Sequence, residues 1–316
     1  MRRSVVVGTV VAAAVAGVGG VLVWRNGDAI LPGTAYCEAQ IGDAAVRLDL
    51  EQAHNAALIA AVAVRRELPA RATSIALAAA YQESKIANID YGDRDSLGLF
   101  QQRPSQGWGT RQQILDPYYA TGAFYDALVR VDGYESMPIH DAAQEVQRSA
   151  DGGAYEQHES AARTVASALT GYSPAALSCR VDEPKDSGQG PLGNGLTENA
   201  GAVLDDVERA FGALPAGGFA AGGVRSGHAP GSAHYEGRAV DFFFRPVNDV
   251  NSRRGWALAQ YLVANADRLA VRTVIFDDRI WTAARSGDGW REYAEPDSAG
   301  DPAILRHLDH VHVDVA

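Results

Sequence analysis

Apolar residues recur at helical spacing through the first half of the chain, and in short alternating runs through the second. The stretch "LEQAHNAALIAAVAVRREL" (50–68) is an Ala-rich helical pattern that Pro69 ends. The next, "ARATSIALAAAYQES" (70–84), is apolar nearly all round, which predicts a helix buried on every side. Further helices are expected within 116–131, 139–150 and 154–169, so this half reads as all-α. Residues 180–195, "RVDEPKDSGQGPLGNG", lack periodicity and read as a linker. Beyond them, helical patterns at 196–212 and 253–269 alternate with the β-type runs "AVDFFF", "VRTVIFDD", "RIWTA" and "HVHVDV". Gly-rich turns such as "PAGGFAAGG" separate these elements, as expected of an α+β module.

The N-terminus changes the picture. Arg2 and Arg3 precede an uncharged run from Ser4 to Trp24, close to the roughly 20 residues that span a bilayer as a helix. The arginine pair predicts a cytoplasmic N-terminus with everything after residue 25 outside. An uncleaved single-pass anchor (1–28) is the first reading and a cleaved signal, leaving a secreted protein, the second. Outside the cytoplasm, an even count of cysteines predicts a disulfide between Cys37 and Cys179, which brackets a unit of residues 37–179. Of 316 residues, 21% are charged and the net charge is −11, with no Lys/Arg-rich run, so a nucleic-acid partner is not expected.

Asp241 raises a chemical question. It interrupts the strand-like run "AVDFFF", where an unmatched carboxylate is expensive to desolvate. In the run "RHLDHVHVDVA", His310 and His312 alternate and share one strand face, while Val311 and Val313 face the core. His234 precedes Asp241 by seven positions, with Gly237 permitting a bend between them. If the two strands pair, His234, Asp241 and His312 can converge on one ion. Two imidazoles and a carboxylate suit Zn²⁺ and leave a fourth position open.

These motifs, Ser232-Ala-His234 through Asp241 and His310-Val-His312, resemble those of the zinc D-alanyl-D-alanine carboxypeptidase and hedgehog-like metallopeptidases. The resemblance covers roughly residues 196–316 and implies an α+β fold with an antiparallel sheet. It implies zinc ligation by His234, Asp241 and His312, with His310 as a base or transition-state stabiliser. Arg225 is either a candidate oxyanion donor or a surface arginine in a loop, Ser232 is a candidate substrate contact, and His228 and His307 are residues at most rimming the cleft. The Glu-x-x-Trp-His ending of some members is absent, so the bond cut does not carry over.

In the helical half, Glu83-Ser84 followed by Gly98-Leu99-Phe100-Gln101 resembles the signature of lysozyme-like lytic transglycosylases. That implies an acid/base role for Glu83, whose burial would keep it protonated. Gln101 becomes a cleft residue near it, while Trp108 either stacks on sugar or covers the core. A hydrolase would need a second carboxylate, for which Asp93 and Asp95 are available. The family's Ala-Tyr-Asn-Ala-Gly motif is missing, and "AAQEVQRSADGGAY" occupies its place. Most of residues 37–179 also looks like an extracellular domain common in actinobacterial proteins that carry cell-wall peptidase domains. The combined expectation is a membrane-anchored peptidoglycan hydrolase with a zinc peptidase module and a lysozyme-like module that either binds or cleaves glycan. The alternative is a wall-binding scaffold whose zinc is structural or absent, which a fourth protein ligand would favour.

Overall fold

The computed structural model describes residues 21–23, 34–149, 153–297 and 300–316. The predicted membrane span at 4–24 lies outside the described residues except for Val21–Val23, which form a strand (β1). Among the described residues no helix is long and apolar enough to cross a membrane.

Two antiparallel strands, β2 (Tyr36–Ile41) and β3 (Ala44–Leu48), open the first half. Helices α1 (Leu50–Arg65), α2 (Ala70–Ser84), α3 (Arg111–Ile114), α4 (Pro117–Leu128), α5 (Ile139–Gln147) and α6 (Glu159–Leu169) follow. Strand β4 (Leu177–Arg180) then returns to β2, and β1 adds in parallel to β3. The all-α expectation is therefore corrected. β2, β3 and β4 are only six, five and four residues long and carry no sustained apolar alternation, so the pattern does not announce them. The disulfide, Cys37–Cys179, joins residues paired directly across β2 and β4.

The second half contains α7 (Glu198–Phe211), β5 (Ala216–Gly217), β6 (Ala239–Phe243) and α8 (Asp249–Ala264). After them come β7 (Val271–Phe276), β8 (Arg279–Thr282), β9 (Arg291–Glu292), α9 (Pro302–Leu305) and β10 (His310–Val315). The six strands form one antiparallel sheet in the order β5-β6-β10-β7-β8-β9. The helices and strands predicted between residues 50 and 315 all appear, most of them one to several residues shorter at an end.

One buried apolar cluster runs through both halves, and α8 lies at its centre. Its residues Gly255–Ala264 are buried, because one side meets the sheet and the other meets the helices of the first half. Gly255 is required there, since a Cβ would overlap the ring of Phe276. Gln260 ties the halves polarly: its Oε1 accepts from Leu177 N at 2.6 Å and its Nε2 donates to Ala168 O at 2.7 Å. The linker segment is likewise bonded down, through Val181 with Ser286 and Ser187 with Ala316.

Candidate metal centre and a second cleft

Strand pairing builds the first site. Register sets His312 directly opposite Asp241, with His310 opposite Phe243. His234 arrives on a helical turn, Ala233–Glu236, which Ser232 caps by accepting from the His234 backbone N–H. Gly237, at φ +69°, ends that turn and swings the chain into β6. Ser232 lines the cleft, but its hydroxyl serves the turn that carries His234.

The three side chains converge. His312 Nδ1 lies 3.0 Å from Asp241 Oδ1, His234 Nε2 lies 3.2 Å from the same oxygen, and the two nitrogens are 3.1 Å apart. Two ring nitrogens and a carboxylate oxygen at such distances need a shared proton or cation between them. Zinc bonds of about 2.0–2.1 Å in a tetrahedron place ligand atoms about 3.3 Å apart, close to this spacing. The donor set and its geometry therefore fit a divalent ion. Burial opposes the charge on Asp241, yet hydrogen bonds from His234 and His312 outweigh it and hold the carboxyl well below the usual range. On His312 burial favours the neutral ring, but Asp241 and Asp314 overcome it and push the imidazole up to about 9.

Outer partners orient each ring, as metal-binding histidines require. Gly218 O accepts from His234 Nδ1 at 2.8 Å, leaving Nε2 for the cluster. Asp314 Oδ2 stands 3.5 Å from His312 Nε2. Asp309 takes His310 Nδ1 at 2.7 Å and is itself held by Arg245 Nε at 2.6 Å. His310 Nε2 is thereby turned towards Asp241, 4.0 Å away. Gly218 and Asp309 escaped the sequence reading, for a main-chain acceptor in a Gly-rich turn and an acidic neighbour of His310 carry no motif.

His228 is closer than expected. Its ring stacks on His234 with centroids 3.9 Å apart, and His228, His234 and Asp241 form a possible metal-binding group with ligand atoms within 4.8 Å of one another. Arg225 is exposed and is not among the residues lining this cleft of about 930 Å³. The cleft's guanidinium groups belong instead to Arg238, Arg245, Arg272, Arg285 and Arg291.

A second cleft of about 1340 Å³ opens in the helical half, lined by Glu83, Gln101 and Trp108. Helix α2 ends at Lys85 in the left-handed conformation, and buried Gln52 and Asn55 of α1 donate to the Lys85 and Ile86 carbonyls. Ser84 Oγ donates to Leu99 O at 2.7 Å, which is why the Glu-Ser and Gly-Leu-Phe-Gln segments lie together. Burial pushes the Glu83 carboxyl up, partly offset by hydrogen bonds from Tyr155 (2.7 Å) and Gln147. Tyr155 was not foreseen, although it is the last residue of the segment that replaces the missing motif. Gln101 lines the cleft, but its amide donates to Tyr91 O and Gly98 O. Half-buried Trp108 lines the cleft while packing on the core. Asp95 is committed to Arg103 and Ser105, whose hydrogen bonds hold it well below the usual carboxylate range. Asp93 lines the cleft and is largely exposed.

A family model described as VldE, C-terminal domain, matches residues 192–302, less than half of the chain. The matched span includes His228, His234 and Asp241 and stops short of His310 and His312. No curated protein matches the chain.

Proposed function

We propose that the protein is an extracytoplasmic peptidoglycan hydrolase whose second half is a zinc peptidase acting on stem or crosslink peptides. The observation that carries this reading is the mutual 3.0–3.2 Å spacing of His234 Nε2, His312 Nδ1 and Asp241 Oδ1 on the floor of an open cleft. These three residues would hold the ion. A zinc ion held by them would supply Lewis-acid polarisation of the scissile carbonyl and acidify a water to a pKa of about 7.

The chain's own groups supply the rest. His310, its Nδ1–H held by Asp309, offers Nε2 to take a proton from the attacking water and return it to the leaving amine. Asp241 keeps its charge throughout and balances the cationic cluster. In the helical half Glu83, whose carboxyl burial pushes up, suits the acid role towards a glycosidic bond, and its cleft binds the glycan strand. The same reading places both halves outside the membrane, anchored by the segment before residue 25.

One observation favours a second reading. If His228 joins His234, Asp241 and His312, the ion is closed off and structural, and the protein is a wall-binding scaffold.

Mass spectrometry of fragments released from purified peptidoglycan by residues 26–316, with and without a chelator, tests both. New peptide ends that vanish with chelator, and with His312→Ala, are expected. Wall binding without any released fragment would discard the peptidase and favour the scaffold.

A further inference from the structure

The cleft is more positive than its chain. Net charge is −11, yet five guanidinium groups against three carboxylates, Glu183, Asp241 and Asp314, line the space around the histidine cluster. Three are matched: Arg238 by Glu236, Arg245 by Asp309 and Arg285 by Asp288. Arg272 and Arg291 have no carboxylate at ion-pair distance among the described residues. Arg291 Nη1 and Arg272 Nε are moreover buried without a hydrogen-bond partner. Half-buried cations with unmet donors are costly, and a bound anion relieves that cost.

The sheet places Arg291 usefully. Paired residues of an antiparallel sheet share a face. One row runs Asp241–His312–Ile275–Ile280–Arg291 across β6, β10, β7, β8 and β9. Arg291 thus stands on the same face as His312, three strands away, or about 14 Å between backbones at about 4.8 Å per strand. Its Nη2 donates to Thr282 Oγ1 at 3.1 Å, which steers the fork, and Thr282 lines the cleft too. Arg272 sits in β7 at the register shift against β10, anchored through Nη2 to Pro184 O at 3.4 Å.

We propose that Arg291 and Arg272 form a carboxylate-binding subsite of this cleft. The peptide taken by the cluster then carries a free carboxylate up to about four residues from the bond cut, an extended chain advancing about 3.3 Å per residue. The peptide class rests on the function proposed above; the anion preference rests on the two arginines.

The test is calorimetric binding of soluble stem peptides, as free acids and after amidation of their carboxylates, to chelator-treated protein. The free acids should bind about tenfold or more tightly than the amides, as expected for charge-assisted hydrogen bonds. Arg291→Gln and Arg272→Gln should each bring the acid towards the amide affinity and leave the amide unchanged. Arg291→Lys, which keeps charge but not the fork, should fall between. Equal binding of acid and amide to the unaltered protein, or no binding of either at millimolar concentration, overturns the subsite even if a variant fails to fold. Cleavage is scored separately: acid-selective binding without chelator-sensitive cleavage keeps the subsite and removes the reaction, and cleavage without acid selectivity does the reverse.

Discussion

Replacing Gly218 by Ala is the sharpest probe of the candidate metal centre. Gly218 has φ +78°, and its carbonyl orients His234 through the 2.8 Å bond from Nδ1. A Cβ there would overlap Nδ1 and Cε1 of His234 and stand 2.9 Å from Asp241 Oδ2. The left-handed backbone costs an L-residue about 1 kcal/mol. Crowding a packed site adds about 1–3 kcal/mol. Relief requires His234 to move, which breaks its 3.1–3.2 Å spacing to His312 and Asp241. Loss of an outer partner of this kind typically lowers metal affinity about 10–100-fold. Gly222→Ala is the matched control, since its φ of +81° is as demanding but nothing lies within 4 Å of the added carbon. Zinc competition against a chromophoric chelator, with urea unfolding of both variants, separates strain from contact. Gly222→Ala should lose about 1 kcal/mol of stability with zinc affinity intact. A folded Gly218→Ala that binds zinc as tightly as the unaltered protein would refute the account of how His234 is held.

Two further changes test the second cleft and the join between the halves. Glu83 has a carboxyl raised above its ordinary 4.5, so the native state holds its proton longer than the unfolded chain does. Its contribution is full below pH 4.5 and is lost as pH rises through the native pKa. The stability of Glu83→Gln relative to the unaltered protein should therefore grow with pH from about 4.5 upwards, read from thermal midpoints; a pH-independent difference contradicts the buried carboxyl. The same variant should lose glycan release and keep peptide release. Gln260→Leu strands Leu177 N–H and removes the donor to Ala168 O. It should cost at least about 2 kcal/mol in urea unfolding, and a change below about 0.5 kcal/mol would show that α8 does not bind the halves through this amide.

Part of the candidate metal site was legible, because that part of its chemistry sits in local patterns, whereas His228, expected at most to rim the cleft, joins His234 and Asp241 in the possible metal-binding group. His310-Val-His312 declares a shared strand face, and a carboxylate inside "AVDFFF" declares that something must meet it. The supporting groups were not legible. Gly218 acts through its carbonyl, Asp309 through an adjacency that many exposed residues share, and Tyr155 through a contact 72 positions from Glu83. Arg225 lies in an exposed loop, which is the second of the two readings that its position near "SGH" left open. Asp95 misled because its free appearance hid Arg103 and Ser105.

Periodicity alone determined nearly every long helix and the four longer strands of the second half, since burial on one face or all faces is written in spacing. The cysteine pair determined which ends of the first half meet. Register did not follow from the sequence: only the assembled sheet puts His312 opposite Asp241 and carries that row on to Arg291. Nor did the sequence reveal that α8 is buried by both halves at once. Spacing records which residues avoid water, whereas partners across strands and helices are chosen by long-range packing, where each pairing is decided by all the others together.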